Sequence, residues 1–108
     1  MNIVLIQTTC SNKDEAKNIA KILIEEKLAA CVQLSEIESF YSWNNEFCCE
    51  SETLVNIKTI KENFEKVKSK IKELHSYDLP EIIIQLDITN ASKEYLKFIG
   101  DNTIWVIF

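Results

Sequence analysis

Residues 30–57 read ACVQLSEIESFYSWNNEFCCESETLVNI, and the point at which this stretch doubles back decides the fold. Ala30 to Ile37 and then Phe40-Tyr41-Ser42-Trp43 form an extended run rich in β-branched and aromatic residues. It stops at Asn44-Asn45. Asn tolerates positive φ better than other non-glycine residues, so this pair can build a two-residue hairpin turn where Asn-Gly is commoner. From Phe47 through Thr53-Leu54-Val55-Asn56-Ile57 the chain returns as a second strand. Two long strands therefore pair antiparallel.

Working outward, the hairpin is flanked by a strand and helix on each side. Ile3 to Thr8 is an apolar run without strict alternation, as a strand covered on both faces requires. Asn12 followed by Glu15 has the capping-box spacing, and Ala16, Ile19, Ala20, Leu23 and Ile24 recur at helical intervals up to Leu28. After the hairpin, Thr59 with Glu62 repeats the capping-box spacing, and Phe64, Val67, Ile71 and Leu74 mark a second helix ending near His75. Pro80 can only open the next strand, Ile82 to Leu86. Ser92 to Ile99 predicts a third helix, with Gly100 as its stop, and Ile104-Trp105-Val106-Ile107-Phe108 forms an apolar end. The order β-α-β-β-α-β, with an extra helix and a short C-terminal strand, predicts an α+β, ferredoxin-like split β-α-β sandwich over one domain, 1–108. The apolar end either finishes the chain's own sheet edge or docks on a neighbouring subunit.

Composition narrows the function classes. The chain holds a single Gly and a single Pro, so Ser11-Asn12, Asn44-Asn45 and Asp101-Asn102 must supply its turns. All 12 basic residues are Lys against 17 acidic ones, for a net charge of −5. Without Arg, bidentate capture of phosphate or guanine is missing, and an acidic surface lacks the footprint of nucleic-acid binding. The N-terminal apolar run is too short for a secretory or membrane segment. Cys10, Cys31, Cys48 and Cys49 are even in number, but adjacent cysteines on a strand point to opposite faces, so free thiols in the reducing cytoplasm are expected.

Four ordered segments resemble the CutA family: Ala29-Ala30-Cys31-Val32, Ser39-Phe40-Tyr41-Ser42-Trp43, Ile57-Lys58-Thr59, and His75-Ser76-Tyr77-Asp78-Leu79-Pro80-Glu81-Ile82. Tyr95-Leu96 adds a weaker match, and the resemblance spans nearly the whole chain. It implies a ferredoxin-like subunit in a tight homotrimer, with clefts between neighbours, and a link to tolerance of divalent metals, copper above all. No enzymatic reaction is attached to it. The chain departs from relatives in carrying Asn45 for a turn Gly, Ser76 for a common Pro and Phe98 for a frequent Trp. Leu74 stands where bacterial relatives can have a second His, and their copper-linked Cys falls near Gln7, with Cys10 close by. On the resemblance, His75 and Cys10 are the metal-ligand candidates.

His75 is the only histidine, and imidazole is the commonest protein ligand for copper and zinc. Its bland role is a hydrogen bond to a helix-terminal carbonyl, where the helix dipole favours it. Cys31 reads as a small buried hydrophobe, and Cys48-Cys49 cannot readily grip one metal. Phe40, Tyr41, Trp43 and Phe47 either hold the hairpin as cross-strand pairs or line a subunit interface. Lys58 interrupts an apolar strand and should pair with Glu81, Glu50 or Glu52, or with an anionic ligand. Tyr41, Trp43, Lys58, Tyr77 and Glu81 are the candidate lining of an inter-subunit cleft. A sensor module with clefts for small anions or nucleotides, related in architecture to the PII signalling proteins, is the second reading. No nucleophile-base pair, Gly-rich phosphate loop or Ser/His/Asp set can be drawn, so an enzyme is not expected.

Overall fold

Asn44 and Asn45 both take the left-handed backbone, with φ of 51° and 63°, and join two strands through a two-residue turn. Positive φ at both central positions matches the right-handed twist of the strands they join. In the computed structural model, which describes residues 2–75 and 84–103, these strands are β2 (Cys31–Trp43) and β3 (Glu46–Ile60). They pair antiparallel from Cys31 opposite Lys58 to Trp43 opposite Glu46. Ahead of them come β1 (Ile3–Cys10) and α1 (Lys13–Glu25). After them come a 3-10 turn, Lys61–Asn63, then α2 (Phe64–Leu74), β4 (Ile84–Ile88) and α3 (Lys93–Asp101).

The four strands lie in the order β2-β3-β1-β4, with every neighbouring pair antiparallel, which is the expected split β-α-β arrangement. Val4, Ile6 and Cys10 of β1 face the helices together with Val55 and Ile57 of β3. Against them pack Ala16, Ile19 and Leu23 of α1 and Val67 and Ile71 of α2. Each fully buried Ile or Leu here contributes roughly 1.5–3 kcal/mol by leaving water. The opposite sheet face is covered by α3 at one end, where Ile3, Ile60 and Ile99 meet. Farther along that face lie Gln7 and Asn56, joined by a 2.7 Å side-chain hydrogen bond, and Leu86, which is exposed.

Local signals were met unevenly. Asn12 caps α1 as its spacing predicts, its Oδ1 accepting the Glu15 N–H at 2.8 Å. The matching Thr59/Glu62 spacing does not form a cap, because β3 runs on through Ile60 and α2 starts only at Phe64. Thr59 is fully buried, and its hydroxyl donates instead to the Leu28 carbonyl at 2.6 Å, tying the exit of α1 to β3. Gly100 is not a helix stop either. It lies inside α3, which ends at Asp101 with Asn102 as its cap, and Asn102 keeps negative φ, so no left-handed glycine is required. The C-terminal apolar end, Pro80, Tyr77 and Glu81 lie outside the described residues.

Lys27 supplies the turn that ends α1. Its φ is 57°, its N–H donates to Ile24 O at 3.1 Å, and the Leu28 N–H donates to Leu23 O at 3.0 Å. This is the Schellman arrangement, normally built on Gly, with the buried Leu23 and Leu28 as its hydrophobic contact. Lys27→Gly should therefore stabilise the fold by up to about 1 kcal/mol, the relief of left-handed strain exceeding the entropy that Gly adds to the unfolded chain. Urea unfolding at fixed protein concentration checks this. A lower midpoint in the variant would contradict it.

Candidate metal centre

The chain passes one end of the sheet three times. β1 finishes there at Cys10, α1 begins there, and α2, which runs opposite to α1, ends there at Leu74. Cys10 lies on the helix-facing side of β1 and is fully buried. The Asn12 cap orients the first turn of α1 so that Glu15 points back over the end of β1. A carboxylate there is also favoured by the positive end of the helix dipole. His75 follows α2 in extended conformation, and its N–H closes the helix on Ile71 O at 2.8 Å. That exit turns the imidazole inward, where the side chain is fully buried.

Two contacts with described residues orient the ring. Its Nε2 lies 2.6 Å from the Thr9 carbonyl, which can only accept, so Nε2 carries the hydrogen. Nδ1 faces the Glu15 carboxylate, 3.6 Å from Oε1. Cys10 Sγ completes the group, one ligand atom from each of Cys10, Glu15 and His75 lying within 4.8 Å of the others. Burial, followed by the negative charges of Glu15 and Glu52, pushes the Cys10 thiol up to about 12. In the metal-free protein Cys10 is therefore a neutral thiol at physiological pH.

This arrangement supports two chemistries. With a proton on Nδ1, His75 is a cation held between Glu15 and the Thr9 carbonyl. With Nδ1 unprotonated, a nitrogen, a sulfur and a carboxylate converge, and the Nε2–H···O=C bond fixes the ring as outer hydrogen bonds do in metal-histidine sites. The structure thus brings together the two residues singled out from sequence, His75 and Cys10, and adds Glu15. Sequence reading took Glu15 only as the partner of Asn12 in a capping box. The available signal was topological, since the end of the first strand, the start of the first helix and the end of the second must share one edge of this fold.

The other singled-out residues lie elsewhere. Tyr41 and Trp43 stand on the far part of the β2–β3 hairpin, both exposed, and the Tyr41 phenol is pushed up to about 12, chiefly by its hydrogen bond to Glu50. Phe40 and Phe47 pair across the hairpin with ring centroids 6.2 Å apart. Lys58 does not make the expected ion pair with Glu50 or Glu52, which lie about 20 Å or more away along the same strand. Its ammonium stands 5.3 Å from the centroid of the Tyr95 ring, a cation–π contact. Glu81, its third expected partner, is outside the described residues, as is Tyr77. All four cysteines are free thiols, with Cys31 and Cys48 half-buried and Cys49 exposed.

The family described as CutA1 divalent ion tolerance protein matches residues 4–102. A divalent-cation tolerance protein CutA of Thermus thermophilus is 40% identical over 102 residues, covering 94% of this chain and 96% of that protein. CutA1 from Oryza sativa superposes with a TM-score of 0.92 at 33% identity, covering 96% of this chain and 95% of that one. The CutA structure from Archaeoglobus fulgidus, described as that of a periplasmic divalent cation tolerance protein, gives a TM-score of 0.89 at 36% identity, covering 93% of this chain and 97% of that one. Among the described residues, no helix is long and apolar enough to cross a membrane.

The raised Cys10 value has a measurable sign. Folding lifts the thiol from its ordinary 9.0 to about 12, so at intermediate pH the unfolded chain releases a proton that the folded chain keeps. The contribution of Cys10 is complete below pH 9 and is lost as pH rises from about 9 to about 12. Metal-free protein should lose more stability across that window than its Cys10→Ala variant, as measured by urea unfolding at stepped pH. Parallel losses in the two proteins would remove the claim.

Proposed function

This chain belongs to the CutA1 divalent ion tolerance family, and from that membership we propose that it is a non-enzymatic homotrimer that holds a divalent metal ion, with copper the ion the family resemblance implies. The observation that carries this reading is the meeting of Cys10 and His75, which are far apart in sequence, at one buried site. Thiolate and imidazole are donors for transition metals rather than for calcium or magnesium. The Thr9 carbonyl holds the imidazole by Nε2, so a ligand role falls to Nδ1.

The exposed surface supports assembly. Trp43 is 66% exposed and Phe47 78%, and Leu86 stands bare on the sheet face beyond α3. Apolar surface of this kind is covered when copies associate. Trp43 and Lys58 lie in opposite ends of the hairpin, about 40 Å apart along the strand direction, so a cleft using both needs two copies. In the assembled protein Tyr41 and Trp43 of one copy would face Lys58, Tyr77 and Glu81 of another. Such a cleft could also admit a small ligand. Four free thiols suit a reducing compartment, and the cytoplasm is the proposed location.

Titration of reduced protein with Cu(II) and with Cu(I), beside His75→Ala and Cys10→Ser, tests the metal reading. Both substitutions should weaken binding at least tenfold, and affinity unchanged in both would remove the site. Sedimentation at low micromolar concentration should give about three times the 12.5 kDa of one chain. A monomer would overturn the assembly.

A further inference from the structure

We infer that the end of the sheet opposite the Cys10–Glu15–His75 cluster is a binding site for an aliphatic α-amino acid, which sets its carboxylate on Lys61 and its ammonium on Asp87. A cavity of about 410 Å³ opens there between the start of β1, the end of β4 and the start of α3. Its volume lies within the range of small-molecule sites. Ile3 and Cys10 mark the two ends of β1, roughly 23 Å apart, and the cavity shares no residue with the cluster. Tyr41, Trp43 and Lys58 do not line it either, so it is separate from the cleft proposed between copies.

Strand alternation gives the cavity two kinds of wall. Ile3 and Ile88 pair across β1 and β4 and, with Leu96 of α3, belong to one apolar cluster that forms one side. Asp87 pairs with Val4 instead, so it turns to the other face of the strand end. Lys61 is seated beside the first residues of β1, where its N–H donates to the Asn2 carbonyl at 2.9 Å. Thr89 and Asn90 add further polar groups to the lining.

Both charged groups are open to a ligand. Among the described residues Lys61 makes no ion pair, and Asp87 accepts only from Gln85 Nε2, at 3.1 Å through Oδ1, which orients the carboxylate and leaves Oδ2 free. The two residues flank β1 from either side, across two strand spacings or roughly 10 Å. They do not pair directly, yet one small molecule can bridge them. An α-amino acid holds its two charges about 3 Å apart, and a charge-assisted hydrogen bond of about 2.8 Å at each end extends the span to roughly 8–9 Å. A simple anion would meet Asp87 and a simple cation Lys61, so like-charge repulsion favours a molecule that carries both signs. The Ile3, Ile88 and Leu96 wall then receives its aliphatic side chain.

L-Leucine is the probe, titrated calorimetrically into full-length protein beside 4-methylpentanoate, which lacks the ammonium, and 3-methylbutylamine, which lacks the carboxylate. Leucine should bind at one equivalent per chain, at least tenfold more tightly than either analogue. It should exceed glycine, which has no side chain for the apolar wall, by a similar factor. Lys61→Ala should weaken leucine binding at least tenfold without weakening 3-methylbutylamine, and Asp87→Asn should weaken it equally without weakening 4-methylpentanoate. Both side chains are exposed, so the variants keep the fold, which their unfolding midpoints check. Absence of saturable leucine binding at millimolar concentration, equal affinity for leucine and either analogue, or full leucine affinity in either variant overturns the inference.

Discussion

The register of β3 is the constraint on which the other elements depend. Its residues 46–58 pair with β2 and its residues 53–60 with β1, so between 53 and 58 the strand is held on both sides. Because side chains alternate, a slip of one residue would carry Val55 and Ile57 out of the helix-facing core and set Asn56 and Lys58 in their place. The same register sets Cys10 opposite Thr53 and fixes which face of β1 its thiol occupies. The tight Asn44-Asn45 turn sets that register from one end, and the bond from Thr59 to the Leu28 carbonyl anchors it at the other.

The Cys10–Glu15–His75 cluster inherits its order from the ends of elements rather than from a loop. The Asn12 cap, the closing Ile71 bond and the paired β1 backbone each fix one of its three side chains. The electrostatics follow from burial: a thiol placed among carboxylates keeps its proton, and the imidazole is oriented by a backbone carbonyl that cannot itself donate. Away from this edge, Lys58 meets the aromatic face of Tyr95 within its own chain.

Much of this was legible in the sequence because local chemistry and global pattern agree. Asn44-Asn45 between two β-rich runs, and Asn12 before a helical stripe, each have a mechanism that survives folding. Thr59/Glu62 misleads for a physical reason: strand pairing with β1 continues to Ile60 and outcompetes a local cap. The contact of Lys58 with the Tyr95 ring was not legible, because a half-buried cation can be met by a ring from a distant helix and spacing carries no trace of that. Glu15 was visible but absorbed into its capping role. Only the placement of three element ends at one sheet edge shows that a cap residue also stands beside Cys10 and His75.

The hairpin has a consequence for how the protein assembles itself. β2 and β3 meet across a two-residue turn, whereas β1 must find β3 partners more than 40 residues away, from Cys10 opposite Thr53 to Ile3 opposite Ile60. Closing long loops costs more entropy before any contact rewards it, so the hairpin zips early and β1 docks late, bringing α1 with it. Cys10 and Glu15 travel with that late unit, while His75 belongs to the other half of the chain. The three side chains therefore converge only as the two halves lock, and a partly folded chain leaves them scattered.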